Sequence, residues 1–258
     1  QAGALSNVLI GDRPGMFVDE ANVMIGKYAG MNACGSHNIV MGEYAMSCAG
    51  TGCQNIALGS CAGQCIASCS NNIYLGTGAG KLIAGGNHIA IGYGAMNGQT
   101  SGNVMTDQNI AIGGSALRKV CGGCLNVALG SGAGECLTTG GCNVFVGHSA
   151  GTQLTTGTHN VFMGSTRAGC NMRTGNNNIM IGKCTGRCGC TGDSNVFIGE
   201  SVALNGTSLG SCNVLIGRYV AEGATNFNGG NNVMIGANIG LAATSAEYNV
   251  ILGRGAGK

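Results

Sequence analysis

A five-residue phrase recurs fifteen times along this chain: Asn, then Val or Ile, a variable residue, then Ile, Leu, Met or Val, then Gly. It begins at Asn7, Asn22, Asn38, Asn55, Asn72, His88, Asn109, Asn126, Asn143, Asn160, Asn178, Asn195, Asn213, Asn232 and Asn249, with His88 alone in the Asn place. The spacing is mostly 17 residues and ranges from 15 to 21. A short unit repeated from end to end buries its apolar side by stacking on its own copies, not by wrapping one central core. The expected fold is all-β: a parallel β-solenoid (β-roll or β-helix) of about 15 coils, roughly 17 residues each, forming a single repeat domain over residues 1–258.

Within a unit the signals are local. Val144 and Val146 alternate around Phe145, which is strand periodicity, and their β-branching suits a strand. Gly147 stops the strand and supplies a corner. Leu137–Gly140, Leu154–Gly157 and Met172–Gly175 occupy one equivalent place and read as a second, shorter strand. With the repeat Asn counted as position 0, the inward positions are expected at +1, +3 and +7, with a Leu or Cys at +10 or +11. The Asn column reads as a ladder of side-chain amides hydrogen-bonded up and down the stack, with His88 as a polar substitute. Fifteen strands at about 4.8 Å would make a rod roughly 70 Å long.

Composition narrows the function classes. Charged residues are 9% of the chain, against about 25% in ordinary domains, and the net charge is +2. Neither a nucleic-acid footprint nor a polybasic membrane patch is present, and no apolar run is long enough to span a membrane. Gly is 51 of 258 with a single Pro, which excludes collagen, and 44% hydrophobic residues exclude disorder. No signal peptide is legible at Gln1.

The phrases Asn22–Gly30, Asn126–Gly134, Asn143–Gly151 and Asn249–Gly257 extend to Asn-(Val/Ile)-x-(Ile/Leu/Met)-Gly-x-x-Ala-Gly. This unit resembles the head repeat of trimeric autotransporter adhesins, and it is similar to the Asn-rich repeat of phage tail fibres. The resemblance implies a homotrimer on a virion or microbial surface. The period near 17, longer than the adhesin heads use, and the lack of heptads or an anchor favour the fibre over a complete autotransporter.

Fifteen cysteines admit three readings: disulfide rungs between coils, buried thiols, or a metal site. Cys48 and Cys65 both lie at +10 on adjacent coils, which stacks their Cα atoms near 5 Å apart, within disulfide range. Cys170 and Cys188 share the same numerical place, blurred by an insertion after Ser165. Cys121-Gly-Gly-Cys124 has knuckle spacing, but zinc needs four convergent ligands, and a solenoid spreads such residues around a coil. No metal and no cofactor are expected.

No catalytic constellation emerges. His37 and His159 each precede a repeat Asn, His148 follows a corner Gly, and Glu43 and Glu200 share a solvated column with Lys27, Lys183, Arg218 and Arg254. Gly76–Gly80 lacks the strand–loop–helix context of a phosphate loop. Departures from the repeat are the candidate recognition loops: Asp12 and Phe17 in the first coil, Asn97 and Asp107 flanking the longest one, and Phe227 in another. The phrase also continues in step from Asn249 through Lys258 into Asn7 of a second copy, 9 + 7 = 16 residues, so end-to-end stacking is expected. The expected role is a structural, adhesive fibre outside the cell or on a virion, with itself and a host-surface glycan or receptor as partners. The alternative is a self-assembling filament that binds no receptor.

Overall fold

The computed structural model describes residues 6–66, 69–98, 107–187, 191–205, 210–223, 229–240 and 247–257. Each phrase forms one strand. Residues Gln1–Asn126 make one compact unit with β1 (Val8–Ile10), β2 (Val23–Ile25), β3 (Ile39–Met41), β4 (Ile56–Leu58), β5 (Ile73–Leu75), β6 (Ile89–Ile91) and β7 (Ile110–Ile112). Residues Val127–Lys258 make a second with β8 (Val127–Leu129), β9 (Val144–His148), β10 (Val161–Thr166), β11 (Ile179–Ile181), β12 (Val196–Ile198), β13 (Val214–Arg218), β14 (Val233–Ala237) and β15 (Val250–Leu252).

Within each unit, consecutive strands pair in parallel and residue for residue, with one shift, between β9 and β10 after Met163. Ile56 lies beside Ile73 and Leu58 beside Leu75; Val196 lies beside Val214 and Ile198 beside Ile216. Both units are therefore parallel β-solenoids. Six pairings in the first and seven in the second give about thirteen turns. The second strand expected at Leu137–Gly140 does not form. Among the described residues each coil has one strand, and the other side is turns and bends. Those turns still stack through the backbone: Thr138 N–H donates to the Thr155 carbonyl, and Thr155 N–H to that of Arg173, both at 2.8 Å.

The side chain that enters the coil corrects the expectation. Positions +1 and +3 point outward, and the variable residue at +2 fills the interior. Met24, Val40, Ala57, Tyr74, Ala90 and Ala111 are fully buried, as are Ala128, Phe145, Phe162, Met180, Phe197, Leu215 and Met234. Alternation fixes which residues share a face, but not which face is inside. Position +7 is inward as expected (Ala29, Ala45, Ala150), and so is +11 (Ile66, Leu137, Leu154). Of the cysteines at +10, Cys48 is exposed and Cys65 half-buried, while Cys170, on a coil with an extra residue, is buried.

In several coils the residues at +2 and +8 trade size. Met24 pairs with Gly30, Tyr74 with Gly80, Phe145 with Gly151 and Met180 with Gly186; a Cβ on any of these glycines would collide with its partner. In some coils with a smaller +2, +8 is large and buried: Val40 with Met46, Ala90 with Met96, Ala111 with Leu117. Ala57 and Ala128, by contrast, still have Gly63 and Gly134 at +8, and the space at Gly63 is filled by Tyr74 and Met46 of the adjacent coils. Interiors pack to crystal density, so a cross-section one side chain wide demands such compensation. Phe145 and Phe162 meet on adjacent coils at 5.8 Å between ring centroids, tilted by 53°. The corner glycine at +4 has two constraints. At Gly59 φ is +134°, and a Cβ there would lie 2.7 Å from the backbone carbon of Gly76 on the next coil.

Hydrogen bonding fixes the other end of the strand. Asn55 donates its backbone N–H (2.9 Å) and its Nδ2 (3.1 Å) to Oδ1 of Asn38. The same Nδ2 donates to the Cys69 carbonyl at 2.9 Å, across its own coil. Its Oδ1 accepts the N–H and Nδ2 of Asn72, both at 3.0 Å. Every side-chain lone pair and proton is used, at zero exposure. The same pattern runs through Asn160, Asn178, Asn195, Asn213 and Asn232 in the second unit. At His88 the ring takes over the acceptor role, with Nδ1 accepting the Asn109 N–H at 3.2 Å, so the proton sits on Nε2 and the ring is neutral.

Two measurements follow. Asn55→Ala strips partners from two donors of Asn72 and from the Cys69 carbonyl, and should cost about 3 kcal/mol in chemical denaturation. Asn55→Asp buries a carboxylate facing the acceptors Asn38 Oδ1 and Cys69 O, so its pKa is raised in the folded state. Its penalty is full above that raised value and recedes as pH falls through it, and thermal melts should show the gap to the parent narrowing from pH 7 to pH 4. Tyr74 tests the opposite case. Its buried hydroxyl has no hydrogen-bond partner among the described residues, and burial holds its pKa well above the ordinary range. Tyr74→Phe should raise stability by about 1 kcal/mol, read as a higher denaturant midpoint.

Candidate interaction surfaces

With +2 inside, the residues at +1 and +3 form two parallel files on the outer face of each sheet. All thirty of these positions are Val, Ile, Leu or Met. The first unit carries fourteen of them and the second sixteen. Ile39, Met41, Ile112, Ile179, Ile181 and Ile235 are 37–42% exposed. At roughly 50 Å² each, the fourteen side chains of the first unit leave on the order of 700 Å² of continuous apolar surface, above the largest patch of most monomers and near one side of a standard interface.

Around the Gly corner the surface becomes polar. Tyr28 and Tyr44 stack at 5.0 Å, with Lys27 Nζ 5.3 Å from the Tyr28 ring. Arg218 Nε meets Glu200 Oε2 at 3.2 Å, and its Nη2 donates to the Tyr219 hydroxyl at 2.7 Å. The tyrosine hydrogen bond, then Glu200, raises the guanidinium pKa further. Both partners are well exposed, so this pair orders the surface more than it stabilises the fold.

The cysteines form no disulfide among the described residues: the thirteen described are free thiols. Stacking puts Cys48 and Cys65 on adjacent coils near each other, without a disulfide. Burial first, then the nearby Cys48 thiol, pushes the Cys65 thiol up to about 11. Cys170 is buried, and its Sγ lies 3.7 Å from the Arg187 carbonyl. The extra residue in its coil moves it to the place above Arg187; Cys188 lies outside the described residues. Cys53 and Cys69 accept backbone N–H groups of Ser36 (3.4 Å) and Gly85 (3.0 Å). Among the described residues no three His, Cys, Asp or Glu side chains converge in a manner that could hold a metal ion.

The loop candidates stay apart. Asp12 and Phe17 are exposed in the first coil, Phe17 at 63%. Asn97 and Asp107 flank a stretch outside the described residues, and Phe227 lies in another such stretch. Asp107 has a local task, because its Oδ1 accepts the Gly86 N–H at 2.9 Å. Asp193 does the same for Asn176 at 2.7 Å. His37 and His159 sit just before the Asn with φ near +60°, where the chain turns into the strand. The outer apolar files were missed because +1 and +3 were assigned inward; the signal available was that +2 is also never polar. No protein-family model, curated protein or solved structure matches this chain.

Proposed function

We propose that this chain is a shaft segment of an extracellular, adhesive fibre, of a virus tail or a microbial surface, in which three copies pack their outer sheet faces together. The observation that carries the reading is the pair of unbroken apolar files at +1 and +3. A face of that size and composition is costly in water, and a second copy offers an identical strip at the same 17-residue period. Parallel copies packed about a common axis keep repeat beside repeat along the strip, and the adhesin-head resemblance favours a threefold arrangement over a twofold one. Stiffness comes from the amide ladder, which ties each coil to the next independently of the strand. Sparse charge favours a scaffold.

The test is sedimentation of the 25.5 kDa chain, expected at about three times that mass. Leu75→Lys combined with Ile91→Lys places two ammonium groups on neighbouring rungs of the strip and should release monomers with unchanged circular dichroism. A parent chain that sediments as a monomer at high concentration overturns the shared-face reading. Fibres that are not retained on any glycan-bearing cell surface remove its adhesive half and leave a receptor-free filament.

A further inference from the structure

Among the described strand pairs of the second unit, the register slips at one place. The coil that starts at Asn160 carries an extra residue, β10 runs on to Thr166, and its register against β9 slips between Met163 and Thr166. Just beyond the slip, three successive coils enclose an open hollow of about 340 Å³. Arg167, on the coil with the extra residue, and Arg187, on the next, both line it. Ser149, Thr152, Gln153 and Asn171 complete its polar wall.

Two features set this hollow apart from an ordinary solvated flank. The chain has only 12 Lys and Arg in 258 residues, yet two of them share one concavity. No carboxylate lines it, and among the described residues neither guanidinium has an ion-pair partner, whereas Arg218 does. The surrounding groups are hydrogen-bonding ones still able to serve a ligand. Thr152 spends its proton on the Gly132 carbonyl at 3.1 Å and keeps its lone pairs. Asn171 Oδ1 takes the Cys170 thiol at 3.6 Å, which leaves the amide protons facing outward.

We infer that this hollow binds the carboxylate or sulfate of an acidic saccharide. Two planar guanidiniums suit an oxyanion, which each can grip with two parallel N–H donors. Hydroxyls and amides beside them suit sugar hydroxyls. The volume is at the small end of ligand pockets and admits one or two pyranose rings. No aromatic platform lines it, so charge supplies the attraction and the interaction weakens with salt. The hollow lies around the Gly corner from the apolar files, so a copy seated on the sheet face leaves it open. The assignment deepens the adhesive reading and rests on it for its biological meaning.

The experiment is calorimetric titration of the whole chain with a sulfated hexasaccharide, an oligogalacturonate, the desulfated neutral oligomer and inorganic sulfate. Binding of at least one acidic oligomer is expected, at least 10-fold tighter than inorganic sulfate, with none by the neutral oligomer. Arg167→Ala and Arg187→Ala should each weaken it at least 10-fold. Arg167→Lys should weaken it less, and Arg254→Ala, outside the hollow, should change nothing. Equal affinity for inorganic sulfate would make this a free-oxyanion site and overturn the saccharide claim, as would unchanged binding in the two Ala variants. Sedimentation separates the two proposals: a trimer that ignores every acidic glycan refutes the hollow alone, and a monomer that binds through both arginines refutes the shared face alone.

Discussion

Everything in this fold depends on the side-chain amide of the repeat Asn. A three-residue strand offers too few backbone bonds to hold its register, because short isolated pairings are marginal in water. The amide adds one main-chain and one side-chain bond to the coil before it, and a third across its own coil to a carbonyl that no strand partner reaches. It therefore sets the distance between coils and closes each coil on itself. No other side chain of that length carries two donors and a two-fold acceptor on one planar group. At His88 a ring nitrogen takes the acceptor place, receiving the Asn109 N–H.

Once the amides and the corner glycines fix both ends of the strand, side-chain volume is the remaining variable inside. The interior is one residue wide, so each coil must balance its contents with those of its neighbours. Tyr74 is accommodated by Ala57 and Ala90 on the neighbouring strands and by glycines at 63 and 80. Its hydroxyl reaches a place with no polar partner, a local conflict between filling space and satisfying hydrogen bonds. That narrow interior also explains the outer face. A single strand per coil cannot cover both sides of its sheet, so the apolar files at +1 and +3 have no covering layer within the described residues.

The fold class, the parallel register and the amide column were legible because they are translational: the same residue types return at the same step, and stacking like on like is the only way to bury them. Orientation was not. Val and Ile at +1 and +3 look like a core because they are β-branched and invariant in type. The true core position, +2, varies from Ala57 to Phe197, and in several coils it varies against +8. That compensation becomes visible only when pairs such as Val40 with Met46 and Met24 with Gly30 are compared. The expected second strand at Leu137–Gly140 failed for a related reason. Leu137 is inward as its apolar character implies, yet Thr138 and Thr139 stack by backbone bonds in a bent path that residue preference does not encode.

A perfectly periodic surface can only present the same chemistry at every step, which suits lateral packing and gives no unique address. A singular site requires a coil that breaks step. The extra residue before Arg167 does this at small cost, since the slip is absorbed within β10 and the amide bonds from Asn160 to Asn143 and from Asn178 to Asn160 keep their lengths. Column positions on one side of the coil are displaced while the ladder on the other side is not. Cys170 then lies beside the Arg187 carbonyl of the next coil, and Arg167, on the same coil as Cys170, lines the hollow with Arg187. The scaffold tolerates such an irregularity because its register is held by the Asn amides, several residues away from where the chain is lengthened.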